Sequence, residues 1–191
     1  MELLLKYFEL KSGIDLTGAD KELIAQRFKL KRLKKKQYLL QEGDICKYIS
    51  FIVKGAARSY SVDERGIEHI LYLGIEGWWM GDNESFTLHT ASRYNIDMLE
   101  DTELLIITQD HLKELIEKLP AVASTMATIN NNRVIAAEKR IHAALSQTPE
   151  QRFDVLSNDY PDLLKRFPLT MIASYIGIST KTLGRIRNGG K

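Results

Sequence analysis

Thr180, Lys181, Thr182 and Arg185 follow closely on one another near the C-terminal end, all hydrogen-bond donors and two of them cations. Lys181 and Arg185 are four residues apart, so on a helix they share one face. Side chains of this kind suit a surface rich in acceptors and negative charge. Arginine can grip guanine through two parallel hydrogen bonds, and lysine can reach a guanine acceptor or a phosphate. Ser179, just before them, is of the type that caps a helix. Such a helix can enter a major groove, provided its opposite side is held by apolar residues.

The surrounding stretch from Leu169 to Arg187, LTMIASYIGISTKTLGRIR, supplies that hold. Ile172, Ile176, Ile178, Leu183 and Ile186 can close a small core between two short helices. Ala173 lets the helices approach, and Gly177 falls where the chain must turn through a left-handed conformation. The pattern resembles a DNA-binding helix-turn-helix. From Gln151 onward there are seven cations against three carboxylates, while the whole chain carries only a formal +2. A basic end on a mildly acidic body fits a DNA-contacting end.

The remainder of the 191 residues must position this element. A hydrophobic content of 44% supports a real core and argues against global disorder. The single cysteine, Cys46, excludes an internal disulfide and a cluster held by several thiolates of one chain, and fits a reduced, cytoplasmic setting. No apolar run is long enough to span a membrane, and the four histidines lack tight metal-ligand spacing. No nucleophile, base and orienting group fall together, and no phosphate-cradling glycine loop of the P-loop type occurs, so an enzyme is not expected.

Residues 2–12 and 20–30 read as helices, and KLKRLKKK, from Lys29 to Lys36, as a solvated connection rather than a nucleic-acid patch. From Gln37 to about Thr108, short runs rich in Tyr, Ile, Val and Leu are punctuated by glycines, which predicts a β-sandwich or β-roll. VDERGIEH reads as a hairpin tip with Gly66 at positive φ. A short helix, His111–Leu119, is expected to end at Pro120. From Ala121 to about Ser146 a long helix is predicted, with Val122, Ile129, Ala136 and Ala143 at heptad spacing and Met126 as a second apolar position. This face is read as meeting a second copy, and Val134, Ala137, Ile141 and Leu145 as packing on the chain's own domain. Thr148 and Pro149 form a hinge before a helix around Arg152–Leu156.

The order EGD, FIVKGAARSY, hairpin and LGIEGWWMGD, together with the C-terminal motif, resembles the CRP/FNR superfamily, bacterial regulators related to the cyclic AMP receptor protein. The resemblance implies an α+β chain: an N-terminal cyclic-nucleotide-binding-like β-roll (jelly roll) over 1–120, a dimerisation helix over 121–147, and a helix-turn-helix domain over 148–191. It implies double-stranded DNA, a second copy and RNA polymerase as partners, with Thr170, Ser179, Thr180, Lys181, Thr182 and Arg185 contacting DNA. The effector pocket falls on GDNESFTLHTASRYNID, with Gly81, Asp82, Asn83, Glu84, Ser92 and Arg93 as its residues and Thr125 of the long helix near a bound base. A cyclic nucleotide is the effector the family would supply. Several departures count against it: Asp82 stands for a ribose-holding glutamate, Asn83 for an apolar residue, Ser92 and Arg93 are in reversed order, and Tyr94 is bulky where a small residue is usual. Many relatives continue beyond the reading helix into a β-hairpin wing, for which the residues after Arg187 leave no room.

Overall fold

The computed structural model describes residues 1–189; Lys191, counted above in the basic tail, lies outside them. Helix α1 (Glu2–Ser12) is followed by α2 (Gly18–Arg27). The second opens on a reciprocal cap in which Thr17 Oγ1 accepts from the Asp20 amide at 3.2 Å and the Asp20 carboxylate accepts from the Thr17 amide at 2.9 Å. It stops at Arg27, short of residue 30, because Phe28 is already extended.

Lys29–Leu33 is a strand, β1, and not the predicted connection. It pairs antiparallel with the last strand of the roll, from Lys29 against Ile106 to Leu33 against Thr102. Being at an edge, it can keep Lys29 and Arg32 in water while its backbone is paired on one side, and its charges discourage other strands from adding there.

Seven further strands follow: β2 (Tyr38–Leu40), β3 (Ile49–Lys54), β4 (Ala57–Val62), β5 (Glu68–Gly74), β6 (Trp79–Met80), β7 (Asn95–Met98) and β8 (Thr102–Ile107), with helix α3 (Asn83–Leu88) between β6 and β7. They form two four-stranded antiparallel sheets, ordered β1-β8-β3-β6 and β2-β7-β4-β5, which face each other as a β-roll. Gly66 takes φ 77° at the β4–β5 hairpin tip, as its position requires. Phe51, Ile52, Ile96, Met98, Leu104 and Ile107 fill the space between the sheets, and Leu4 and Phe8 of α1 close it.

Six helices follow among the described residues: α4 (Gln109–Lys118), α5 (Pro120–Ser146), α6 (Pro149–Asp159), α7 (Pro161–Arg166), α8 (Leu169–Tyr175) and α9 (Thr180–Arg187). Pro120 sits in the first turn of α5, where its missing N–H costs nothing. The opening turns of α5 bury Val122, Thr125 and Met126 against the roll, and Ile129 packs on the same core. Beyond that point most of the face expected to pack on the chain's own domain does not do so. Val134, Ile141 and Leu145, expected to pack on the chain's own domain, are 57%, 62% and 84% exposed. The helix has left the roll by then, and its inward side carries Arg133 and Arg140 instead.

A second core joins the outer face of β4 and β5 to the C-terminal helices. Tyr60, Ile70 and Leu73 meet Leu156, Leu163, Phe167, Ile172, Ala173 and Leu183 in one cluster. Polar ties frame it. Arg166, at the end of α7, donates to Glu100 at 2.7 and 2.8 Å and to Glu76 at 3.0 Å. Burial works to raise the Glu76 pKa, but the bonds from Arg166 and the Gly55 amide outweigh it and hold the carboxyl below its ordinary range. Ser174 of α8 accepts from the Ile70 amide at 2.9 Å.

Candidate DNA-reading element and effector pocket

The α8–α9 turn is built around Gly177, which adopts φ 69°. The Ile178 amide closes the turn onto Ala173 O at 2.9 Å. Arg152, from α6, donates through Nη1 to Ile176 O at 3.0 Å and Gly177 O at 3.2 Å, so a side chain outside the motif pins its bend. Ile172, Ala173 and Leu183 are buried between the helices, with Ile176 and Ile178 partly covered; Ile186 is half-buried but lies outside that cluster. Ser179 Oγ caps α9 by accepting from the Thr182 amide at 3.0 Å, and the two hydroxyls are 2.8 Å apart. Opposite this packing, Thr180, Lys181 and Arg185 are exposed and Thr182 is half-buried. Neither Lys181 nor Arg185 forms an ion pair among the described residues. Arg185 is still felt by Glu150, whose carboxyl is lowered by hydrogen bonds from its own amide and from Thr148 and, more weakly, by that guanidinium. Thr170 is exposed in the first turn of α8.

In the roll, Gly81, Asp82, Asn83, Glu84, Ser92 and Arg93 come together around the start of α3. Thr125 does not join them: it is wholly buried and donates to Phe8 O of α1 at 3.4 Å. Asp82 is a helix cap rather than a free carboxylate. Its Oδ1 accepts from the Glu84 and Ser85 amides at 3.0 and 3.3 Å, and its Oδ2 accepts from Ser92 Oγ at 2.7 Å. It is 8% exposed. Arg93 reaches into solvent and pairs with Glu84 at 3.0 Å. The amides and hydroxyl that could hold an anion are thus bonded to the chain's own carboxylate, and the nearby guanidinium is bonded to another.

Two arginines of α5, seven residues apart, escaped the sequence reading. Arg133 donates to Asn83 Oδ1 at 2.7 Å and lies over the Tyr72 ring at 5.5 Å. Arg140 donates to Leu71 O at 2.6 Å and lies 5.6 Å from the Tyr72 ring and 5.3 Å from that of Tyr175 in α8. Asn83, Arg133, Tyr72, Arg140 and Tyr175 therefore form a continuous run of contacts from the rim of the roll's candidate pocket to α8. Their heptad spacing was the available signal, but an arginine facing inward carries no apolar signature.

Two concave surfaces lie among the described residues. One, of about 490 Å³, lies beside Gly81 and is lined by Leu39, Leu40, Cys46, Tyr48 and Ile96. The other, of about 680 Å³, runs along the far half of α5 against α6 and the α8–α9 turn, floored by Ile135, Ala136, Ile141, Ala144, Val155 and Tyr160. Among the described residues no cluster of three or more His, Cys, Asp or Glu side chains is placed to hold a metal, and no helix is long and apolar enough to cross a membrane.

Residues 30–119, from β1 to the start of α5, match the family described as the cyclic nucleotide-binding domain. The chain is 25% identical over 167 residues to the regulatory protein HlyX of Actinobacillus pleuropneumoniae, covering 82% of this chain and 69% of that one. Among solved structures it superposes on the catabolite activator protein of Thermus thermophilus with a TM-score of 0.60 and 20% identity, over 94% of this chain and 85% of the other. It also superposes on CLP, the c-di-GMP-responsive global regulator of Xanthomonas campestris, with a TM-score of 0.70 and 14% identity over 91% of each. Roll, long helix and helix-turn-helix follow one another here as in these structures, and in that architecture, the matched domain and the regulator relatives the chain is similar to the CRP/FNR superfamily.

Proposed function

We propose that the protein is a dimeric, sequence-specific DNA-binding transcription regulator that meets RNA polymerase in the cytoplasm. The observation that carries this reading is the outward side of α9, where Lys181 and Arg185 are exposed while Leu183 anchors the helix from behind. Arg185 and Lys181 would read base edges with Thr180, and Thr170, Ser179 and Thr182 would take phosphates. The apolar groove along α5 is where a second copy would seat its own α5, covering Ile141 and its neighbours. Two reading helices would then lie about 34 Å apart and face a twofold-symmetric site. Residues 1–120 would act as the effector domain, 121–147 as the dimer helix and 148–191 as the reader.

Cyclic AMP is not the effector in this reading, because the Asp82 carboxylate occupies the amides and hydroxyl a phosphate would need. The matched nucleotide-binding domain supports a second reading, a small-molecule-binding module that does not read DNA. Lys181→Ala with Arg185→Ala separates the two. A duplex selected in vitro by the wild-type protein should lose affinity by roughly 2–6 kcal/mol per reading helix, at about 1–3 kcal/mol per side chain, with an unchanged melting temperature. Failure of the wild type to select any sequence, or equal binding by the variant, would leave only the module.

A further inference from the structure

We propose that the cavity between the edge strands β1 and β2 is a second ligand site, separate from the nucleotide motif and built for an aliphatic monocarboxylate. It is independent of the DNA-reading role proposed above, and its test succeeds or fails on its own.

The cavity, of about 490 Å³, falls within the roughly 300–1,000 Å³ usual for small-molecule sites. Its walls come from β1, β2, β7, Gly81 and the loop from Gly43 to Tyr48, rather than from β4, β5 or α5. The nucleotide motif instead meets α5, where Arg133 holds Asn83. Buried Leu40 and Ile96, with half-buried Leu39, give the cavity an aliphatic lining. Lys31 supplies its charge. Side chains alternate along β1, and Leu33 packs against the core of the roll, so Lys31 shares the inward face. Its pairing partner on β8, Leu104, is wholly buried, while Leu30, on the opposite face of β1, is 51% exposed. This edge strand turns a leucine to water and a lysine inward, the reverse of what the burial of apolar area favours. Lys31 is half-buried, and no carboxylate pairs with it among the described residues. An anion from outside answers that charge. Lys47, exposed beside the same cavity and also without a carboxylate partner among the described residues, adds to the attraction.

The donors left over select the ligand. Amides of the loop are used within the chain: that of Gly43 donates to Ser92 O at 2.8 Å, that of Asp44 to Gln41 O at 3.1 Å and that of Cys46 to Ser85 Oγ at 2.8 Å. The Cys46 thiol donates to Tyr48 O at 3.2 Å. With these taken, the two ammonium groups are the cavity's strong donors. They suit a single carboxylate better than a phosphate, which draws on several backbone amides at once. Asp44, on the same wall, opposes a second negative charge. The aliphatic lining takes a hydrocarbon body. The Ser92 amide also donates to Asp44 O at 2.8 Å, so an occupant braces the loop to which the Asp82 partner Ser92 is tied.

The test is calorimetric titration of the full chain with decanoate, with octanoate and decanol as companions, for wild type, Lys31→Met and Lys31→Arg. Wild type should bind one decanoate per chain saturably. Octanoate, two methylenes shorter, should bind roughly tenfold more weakly, and decanol, which lacks the charge, by about tenfold or more. Lys31→Met keeps the length of the side chain and removes its charge. It should weaken decanoate by about tenfold or more at an unchanged melting temperature, while Lys31→Arg, which keeps the charge, should hold most of the affinity. Absence of saturable decanoate binding by wild type at millimolar concentration would overturn the proposal. Equal binding of decanol would reduce the cavity to an apolar hole, and wild-type affinity in Lys31→Met would place the ligand on another surface. A loss common to both Lys31 variants would assign the effect to packing; each of these three results also overturns the proposal.

Discussion

Removing the Asp82 carboxylate tests whether the pocket is filled by the chain itself. In Asp82→Ala, α3 loses its N-cap, a cost of about 1 kcal/mol. The Ser92 hydroxyl, 3% exposed, loses its closest acceptor, which costs about 1–3 kcal/mol more for a buried polar group. The sum is about 3 kcal/mol, and at roughly 2–4 °C per kcal/mol for a chain of this length the melting temperature should fall by about 6–12 °C. Asp82→Asn keeps one acceptor oxygen and asparagine caps well, so its loss should be roughly a third as large. Urea unfolding of all three proteins gives the energies, and calorimetry with cyclic AMP and cyclic GMP runs alongside. If Asp82 instead holds a ribose, as its place in the motif suggests, wild type will bind a cyclic nucleotide at micromolar concentration and Asp82→Ala will lose that binding with little change in stability. That outcome would refute the argument.

Glu114 carries an acid-range prediction. It accepts from Arg27 at 2.6 and 3.0 Å and from Lys118 at 2.8 Å, Arg27 first and Lys118 second hold its pKa down at about 2, and its ordinary value is 4.5. A carboxyl lowered by folding stabilises fully above its unfolded value and stops doing so as pH falls through the folded one. Urea midpoints of wild type should therefore drop more steeply than those of Glu114→Gln between about pH 5 and pH 2; parallel curves would show that the Arg27 contact is not maintained in solution. In the α8–α9 turn, Gly177→Ala forces a side chain into φ 69° with its Cβ 3.3 Å from Arg152 Nη1. A loss of about 1–2 kcal/mol is expected, smaller for Gly177→Asn, and a neutral Gly177→Ala in thermal unfolding would contradict the turn geometry.

The regular parts of the fold were legible because their signals are local. The glycine-punctuated β runs announce a roll, and the spacing of Ile172, Ala173, Gly177 and Leu183 announces two helices and a bend. What the sequence hid depends on distant partners. Five of the eight residues from Lys29 to Lys36 are lysines, and only pairing with β8 makes Lys29–Leu33 a strand. Val134, Ile141 and Leu145 of α5 stay exposed because the helix outruns the roll, a matter of where its first half is anchored. Asp82 reads as a ligand-holding carboxylate until Ser92, ten residues on, is found bonded to it. Thr125 lies beneath α1 rather than near the pocket because the start of α5 is covered by Phe8. Arg133 and Arg140 carry polar side chains on an inward face, which no hydrophobic period can flag.

The cluster joining Tyr60, Ile70 and Leu73 to Leu163, Ile172 and Leu183 bears on how such a chain can be recombined. A chimera cut at Thr148 would sever apolar partners and leave both fragments with greasy, half-built walls. Each would be expected to aggregate or to need a substitute for the missing wall. Successful transplants would have to carry β4 and β5 along with the C-terminal helices, so the unit that evolution or an engineer can exchange is larger than the sequence boundary suggests.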